Sequence, residues 1–300
     1  MKKTIAIIFY LLIMSQTCTF LVKANTLDDV KQVQTRILIA IQKEEDPDLI
    51  KYLLKKTKTK ELEEYKKSIT DFNENLKTAL EHSWQYNKNI EYKTIEEFNL
   101  LKKDKENIKK YACIYLQCYA AQTKVEYKNG ILQDTYAGTY KGRDGYALEI
   151  ALAETNRFGG AVLSKVSSSN PSLLDLIQLV QGLCSICDFI QKSHDENLSR
   201  KEYDKSIAQI LKNRTLLVDA NDLNEKFGEK EIKKIYPFSV EITTDNKIVE
   251  VILKKDTTYA YLRKYPETTY LGVYTADKGV CGNGIDSKDT FKNLRKALAK

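Results

Sequence analysis

The chain has 300 residues, with 48 Lys and Arg, 41 Asp and Glu and only two His, which gives a formal net charge of +7. Removal of the first 24 residues would take away three lysines and no acid, which lowers the charge to +4 over 276 residues. A charge so close to balance excludes a strongly basic nucleic-acid-binding surface. Two histidines leave few ligands for a zinc site and few bases for a nucleophile.

The first 24 residues have the layout of a secretory signal peptide. Lys2 and Lys3 form a positive start, residues 5–14 are apolar, and Val22-Lys23-Ala24 is a small-residue cleavage site. We therefore predict that the mature chain begins near Asn25 and is exported to the periplasm, the outer-membrane periphery or the extracellular space.

Two alternatives to cleavage remain open. The apolar run could continue to Val22 and act as a membrane anchor, or a lipid could be attached at Cys18. Ser15, Gln16 and Thr17 interrupt the apolar run and differ from the residues that bacterial lipoprotein signals place before their cysteine. Both alternatives are therefore less favoured than cleavage.

The amino-terminal region, residues 26–83, reads as helical throughout. Asp46-Pro47 restarts a short helix in the favoured order of cap and proline. In the longer helix that follows, apolar residues recur every three or four positions, at Leu62, Tyr65, Ile69, Phe72, Leu76 and Ala79. We expect a helical hairpin packed on a neighbouring layer.

From Trp84 onward the apolar pattern changes to a period of two, which is typical of strands. Strands are predicted at 90–94, 111–123 and 146–153, with a helix at 95–103. Lys128-Asn129-Gly130 predicts a hairpin turn, because Asn and Gly tolerate positive φ angles. We expect an antiparallel meander in this part of the chain.

A long apolar helix is predicted from Pro171 to about Gln191. Its polar residues form one narrow stripe, which consists of Asp175, Gln178, Gln181, Ser185 and Asp188. Two acids within it argue against a membrane span. We expect this helix to lie buried between the two halves of the protein, with a groove for a lipid or a partner helix as the alternative.

The later part of the chain continues with alternating elements. A capping box at Leu198 to Glu202 begins a helix, a strand follows at 215–218 and another at 270–276, and Asp289 begins a terminal helix.

Four sequence blocks recur in the same order in the two halves. The first set is Trp84-Gln85-Tyr86, residues 90–94, 101–104 and 111–115, and the second is Tyr236-Pro237-Phe238, residues 240–244, 253–256 and 259–262. Each set reads as a helix ending in an aromatic pair, a strand, a short helix and a second strand parallel and adjacent to the first.

The predicted fold class is α+β, with a helical amino-terminal region, two repeated α-β-α-β units and an antiparallel hairpin extension in a two- or three-layer sandwich. We divide the chain into a signal peptide (1–24), a helical hairpin with the first unit and meander (25–165), and the buried connecting helix with the second unit (166–300).

The order of elements around residues 74–153 resembles the amino-terminal domain of the Tol-Pal translocation protein and the periplasmic domain of the curli secretion lipoprotein. In both, a helix, a strand, a short helix and a longer strand lead into an edge hairpin. The wider chain also resembles uncharacterised exported proteins of envelope-bearing bacteria. The resemblance implies an envelope partner-binding role, and no functional residue is carried over from it.

Five cysteines remain after the predicted cleavage, so at least one thiol is unpaired. Cys184 and Cys187 have the spacing of a redox pair and are the redox candidates of the chain. However, they fall well inside an apolar helix, whereas a reactive pair lies at a helix amino terminus. Two buried small side chains are the favoured interpretation.

Catalytic signatures are missing from the sequence. The glycines of residues 279–284 lack the spacing and the lysine of a phosphate loop, and no Gly-x-Ser-x-Gly motif is present. A carboxylate pair could still assemble in space. We predict an exported, non-enzymatic protein that binds a protein partner in the cell envelope, with no cofactor, no metal and unknown binding residues. The alternatives are a thiol-active protein using Cys184 and Cys187 and a carrier of a small apolar ligand.

Overall fold

A computed structural model of the chain describes residues 27–119, 124–128, 131–135, 145–154, 170–223, 228–233, 236, 238–264, 271–277 and 281–283. The predicted signal peptide, the turn at Asn129-Gly130 and the helix predicted after Asp289 lie outside these residues.

The amino-terminal half contains four helices and six strands within the described residues. In chain order they are α1 (Leu27–Thr35), β1 (Ile37–Ile41), α2 (Pro47–Lys55), α3 (Thr59–Ser83), β2 (Ile90–Lys93), α4 (Ile95–Leu101), β3 (Tyr111–Tyr119), β4 (Lys124–Lys128), β5 (Ile131–Thr135) and β6 (Gly145–Leu152). A single 3-10 turn, Asn107–Lys110, precedes β3.

The carboxy-terminal half adds four helices and five strands within the described residues. They are α5 (Leu173–Asp195), α6 (Arg200–Leu211), β7 (Thr215–Asp219), α7 (Glu229–Lys233), β8 (Val240–Thr243), α8 (Asp245–Leu253), β9 (Tyr259–Lys264), β10 (Leu271–Thr275) and β11 (Cys281–Asn283). A 3-10 turn, Ala220–Asp222, follows β7. The predicted α+β fold class is confirmed.

The first sheet has the strand order β2-β1-β3-β6, in which β1 is parallel to both of its neighbours. The prediction that residues 26–83 are helical throughout is therefore wrong at β1. Leu38, Ile39 and Ala40 are all fully buried, because a central strand is covered on both faces. Such a strand is apolar at every position, so its residues also satisfy a helical spacing.

The second sheet has the order β8-β7-β9-β10-β11, again with one inner strand, β7, that is parallel to both of its neighbours. The two strands of each predicted unit, β2 with β3 and β8 with β9, are parallel but not adjacent. In each sheet a strand that precedes the unit lies between them, which corrects the predicted pairing.

The predicted meander is also wrong. Among the described strands, β4 and β5 pair with each other alone, as a separate two-stranded sheet in which Lys128 is opposite Ile131. Strand β6 instead pairs antiparallel with β3. The paired residues of β3 run from Ala112, opposite Leu152, to Tyr119, opposite Gly145. The hairpin is thus an extension from the sheet and not part of it.

Matching arginines precede the strand of each sheet that is parallel to both of its neighbours, β1 and β7. Arg36 immediately precedes β1 and donates to the carbonyl oxygen of Tyr111 at 3.3 Å, and it pairs with Glu154 at 2.5 Å. Arg214 immediately precedes β7; it donates to the carbonyl oxygen of Tyr259 at 3.2 Å and pairs with Asp277 at 2.6 Å. An internal repeat is our proposal for why the two sheets share these contacts.

The predicted aromatic pairs have similar geometry in the two halves. The rings of Trp84 and Tyr86 meet edge to face with centroids 4.9 Å apart, and those of Tyr236 and Phe238 do so at 5.4 Å. Trp84 and Tyr236 are both buried. Such pairs stabilise packing beyond the area that they bury.

Capping boxes begin several of the described helices. The one predicted at Ser199 is confirmed, since Ser199 and Glu202 cap α6 reciprocally. A second box, Ser172 with Asp175, begins α5 at Leu173, two residues later than predicted. The hydroxyl of Ser172 accepts a hydrogen bond from the backbone of Asp175, which satisfies an amide that the helix leaves free.

One hydrophobic core extends across the predicted boundary at residues 165 and 166. It contains the buried residues of the first sheet, α3, α5 and α8 together with the face of the second sheet that includes Leu217, Tyr261 and Tyr274. A smaller core lies on the opposite face of the second sheet, beneath α6 and α7. Helix α5 contacts α1, α3 and β6 on one side and α6, α8 and β11 on the other, so it lies between the halves.

Helix α5 is long and apolar enough to cross a membrane by length and composition alone. Of its most apolar 18 residues, 72% are buried inside the protein. A buried core helix of a globular protein meets the same criteria of length and composition.

Candidate functional site

Charged side chains converge at the carboxyl edge of the second sheet. Asp219 is the last residue of β7, Asp222 lies in the 3-10 turn that follows, and Asp245 begins α8 directly after β8. Because β7, β8 and β9 are parallel, their carboxyl ends meet at one edge, which is where open α/β sheets bind ligands. Arg263 near the end of β9 and Asp175 in the first turn of α5 complete this group, which we name the carboxylate cluster.

The guanidinium of Arg263 lies at the centre of the carboxylate cluster. Its Nη1 is 2.7 Å from Asp245 Oδ1, 3.6 Å from Asp219 Oδ2 and 3.7 Å from Asp222 Oδ2, and its Nη2 is 3.1 Å from Asp175 Oδ1. Arg263 is only 9% exposed. One buried cation therefore contacts carboxylates from four separate elements.

The carboxyl groups of Asp219 and Asp245 hydrogen-bond to each other, and their pKa values move in opposite directions. Burial and the hydrogen bond to Asp219 raise the pKa of Asp245 to about 7, although the charge of Arg263 opposes the shift. Burial would also raise the pKa of Asp219, but hydrogen bonds from Asp245 and Asn221 outweigh it and lower that pKa. The raised pKa of Asp245 and the lowered pKa of Asp219 make Asp245 the donor of that hydrogen bond and Asp219 its acceptor.

The polar stripe predicted on α5 contacts tyrosines of the second sheet. Gln178 Nε2 donates to the hydroxyl of Tyr274 at 3.3 Å, and the hydroxyl of Tyr261 donates to Gln181 Oε1. The two tyrosine rings stack with centroids 5.1 Å apart. These contacts place the stripe against protein and not against a groove.

The rest of the stripe contacts tyrosines from other elements. The hydroxyl of Tyr86, between α3 and β2, lies 2.8 Å from the carbonyl oxygen of Cys184 and 3.0 Å from Asp188 Oδ1. The hydroxyl of Tyr203 on α6 donates to the carbonyl oxygen of Ser185 at 3.2 Å. Hydrogen bonds to buried polar groups are costly to remove, so the stripe attaches α5 to both halves.

The redox candidates Cys184 and Cys187 lie in the interior of α5 as free, buried thiols. Cys184 Sγ is 3.6 Å from the carbonyl oxygen of Ser83. Burial raises the pKa of Cys184 well above its ordinary value and that of Cys187 to about 12. Because the thiolate is the reactive form, this geometry favours the interpretation of both residues as core side chains.

Native-state thiol labelling checks this interpretation. In a variant with Cys18, Cys118 and Cys281 replaced by serine and the buried Cys113 by alanine, we expect Cys184 and Cys187 to react with an aromatic disulfide reagent only after unfolding in guanidinium chloride. The measured quantity is the number of thiols titrated before and after denaturant is added. Rapid reaction of either thiol in the native protein would restore the thiol-active alternative.

The described residues contain no group of three or more His, Cys, Asp or Glu side chains that could hold a metal ion. In the carboxylate cluster, Arg263 already contacts all four carboxylates. The cluster was not predicted from the sequence. The one signal for it is an aspartate at the carboxyl end of two neighbouring parallel strands, in Val218-Asp219 and Thr244-Asp245.

Helix α2 is attached to the protein by a narrow contact. It begins at Pro47 after Asp46, whose carboxylate accepts hydrogen bonds from the backbone of Asp48 and Leu49, as the sequence predicts. Leu53 is its buried residue and faces α3. The apolar residues of α2 cover a wider part of the helix surface than the contact with α3. Some of them therefore lie outside that contact, on either side of Leu53.

The part of α2 that α3 does not cover exposes large apolar side chains. Leu49 is 36% exposed, Tyr52 52% and Leu54 59%. Lys51, Lys55 and Lys56 are exposed on the same helix or directly after it. None of these lysines forms an ion pair with another described residue, whereas the nearby Lys58 pairs with Glu61. We name these six side chains the α2 surface.

Comparison of the chain with protein-family models, with curated proteins and with solved structures finds no match.

Proposed function

We propose that the chain is an exported, non-enzymatic protein that binds a protein partner in the cell envelope through the α2 surface. The observation that carries this proposal is the exposure of Leu49, Tyr52 and Leu54 beside three lysines with no ion-pair partner among the described residues. Exposed apolar side chains next to polar ones are characteristic of interaction surfaces.

Charge indicates the kind of partner. The α2 surface carries Lys51, Lys55 and Lys56 towards the carboxyl end of the helix, whereas the exposed acids nearby, Glu44, Glu45, Asp46 and Asp48, lie in or before its first turn. A second copy of the same surface would bring like charges together, which is unfavourable. An acidic segment with apolar side chains complements both the charge and the apolar residues of α2. Export is proposed on the layout of residues 1–24, and the resemblance to envelope proteins is consistent with it.

Affinity capture with matched variants tests this proposal. The mature chain is immobilised and presented with an envelope extract of cells that produce it, as wild type and as Leu54→Glu. We expect Leu54→Glu to abolish capture of the partner, because it places an acid on the surface that contacts acidic residues. Capture by the wild type should weaken as salt is added.

The control is Leu100→Glu on α4. Leu100 is 62% exposed, but its helix, Ile95–Leu101, contains Glu96 and Glu97 and no lysine. This variant should capture the same protein as the wild type. Equal capture by Leu54→Glu and the wild type would contradict the proposal, provided that circular dichroism shows both to be folded.

A further inference from the structure

The carboxylate cluster contains more negative charge than Arg263 can neutralise. If Asp175, Asp219, Asp222 and Asp245 were all ionised, these five side chains would carry a net charge of −3. Arg263, Asp219 and Asp222 are largely buried, so repulsion between the carboxylates would be weakly screened. A proton held by one of the carboxyl groups would lower this repulsion.

Asp245 and Asp219 approach the same nitrogen of that guanidinium, since Asp245 Oδ1 lies 2.7 Å and Asp219 Oδ2 3.6 Å from Arg263 Nη1. Two carboxyl groups held this close can form a hydrogen bond when one of them is protonated. Loss of the proton would convert this hydrogen bond into a contact between like charges. The affected residues end β7 and begin α8.

The same cluster also attaches α5 to the second sheet. Asp175, in the first turn of α5, contacts Arg263 Nη2, while Asp245 contacts Nη1 of the same guanidinium. The first turns of α5 and α8 are thus both held at the carboxyl edge of the sheet through one side chain.

We propose that the carboxylate cluster is a proton-dependent clasp, which holds the first turns of α5 and α8 on the carboxyl edge of the second sheet and loosens when Asp245 loses its proton. The charged groups that face one another in the clasp are Asp175 from α5, Asp219 from β7, Asp222 from the 3-10 turn, Asp245 from α8 and Arg263 from β9. This device is independent of the α2 surface.

The pKa of Asp245 sets the range of pH in which the clasp loosens. Burial raises this pKa to about 7 from the ordinary range of an aspartate. A carboxyl group whose pKa is raised by folding stabilises the protein below its ordinary pKa, and that stabilisation is lost as the pH rises through the folded-state value. The clasp is therefore closed in mildly acidic solution and loosens above neutral pH.

Hydrogen–deuterium exchange of the full chain at about pH 6 and about pH 8 tests the clasp, after correction for the intrinsic pH dependence of exchange. In the wild type we expect a several-fold increase in exchange at the higher pH in residues 172–176, 219–223 and 244–248. Asp245→Asn should show no such increase, because its amide stays neutral and still donates to Asp219.

The matched control is Asp71→Asn on α3. The side chains of Asp71 and Asp245 are both 40% exposed and each is in an ion pair. Asp71→Asn therefore removes a carboxylate of similar exposure but leaves the clasp intact. This variant should retain the wild-type response. A wild type with equal corrected exchange at both pH values, or an Asp245→Asn variant that retains the increase, would overturn the proposal.

A carboxyl-carbon NMR titration of the wild type provides a measurement that requires no variant. We expect the Asp245 signal to titrate near neutral pH. Titration of Asp245 wholly below about pH 5 would also overturn the clasp, since no proton would then be present near neutrality.

Discussion

Replacement of Arg263 by methionine is expected to lower the free energy of unfolding by about 3–5 kcal/mol near neutral pH. The variant leaves four carboxylates in the cluster without the cation that contacts all of them. The loss should become smaller in acid, because protonated carboxyl groups do not require a cation. Urea unfolding followed by circular dichroism at about pH 7 and about pH 5 measures both effects.

Arg263→Lys is the matched control for this prediction. Lysine retains the positive charge but lacks the planar fork that contacts Asp175 and Asp245 through separate nitrogens. Its stability should lie between those of the wild type and Arg263→Met. A methionine variant as stable as the wild type, or a loss of equal size at both pH values, would show that Arg263 does not hold the cluster together.

Truncation of Leu183 to alanine should destabilise the whole chain by about 2–5 kcal/mol. Leu183 is fully buried in α5, within the core that includes both the first sheet and one face of the second. Because that core is continuous, we expect one cooperative transition. Fluorescence of Trp84, the only tryptophan of the chain, reports on the first half, and hydrogen exchange of β9 reports on the second.

Leu100→Ala provides the comparison, since this exposed side chain should change the stability by no more than about 0.5 kcal/mol. In Leu183→Ala the midpoints of the two probes should decrease together. If Trp84 fluorescence shifted while the exchange of β9 stayed unchanged, the halves would unfold independently and α5 would not join them.

Features that depend on residues close together in the chain, such as helix starts, were predicted correctly from the sequence. The capping box of α6 depends on Ser199 and Glu202, which are three residues apart, and the start of α2 depends on the neighbours Asp46 and Pro47. Both features can therefore be read from the sequence. The polar stripe of α5 was also visible from its spacing. Its partners Tyr86, Tyr203, Tyr261 and Tyr274 were not, because no local pattern indicates which hydroxyl reaches which position.

Strand β1 is a segment in which the spacing of apolar residues cannot distinguish a strand from a helix. Ile37–Ile41 is apolar at every position and lies between two helices, so helical spacing and a buried central strand fit it equally well. Without β1, the pairings of β2 and β3 could not be derived correctly. The antiparallel pairing of β6 with β3 was missed for a related reason, since it joins strands that are separated in the chain by the β4–β5 hairpin.

The carboxylate cluster is assembled from positions 175, 219, 222, 245 and 263, on five different elements. Each aspartate on its own reads as a cap or a strand end. Their convergence follows from the parallel order of β8, β7 and β9, which depends on the three-dimensional pairing and not on any sequence motif.

Photo-crosslinking in producing cells tests the proposed binding surface most directly. A photoreactive amino acid is introduced in place of Tyr52 and, as a control, in place of Leu100, and crosslinked peptides are identified by mass spectrometry. We predict adducts from position 52 alone, to a partner segment in which Asp or Glu flanks apolar residues. Adducts of equal yield from both positions, or a crosslinked segment that is basic, would contradict it.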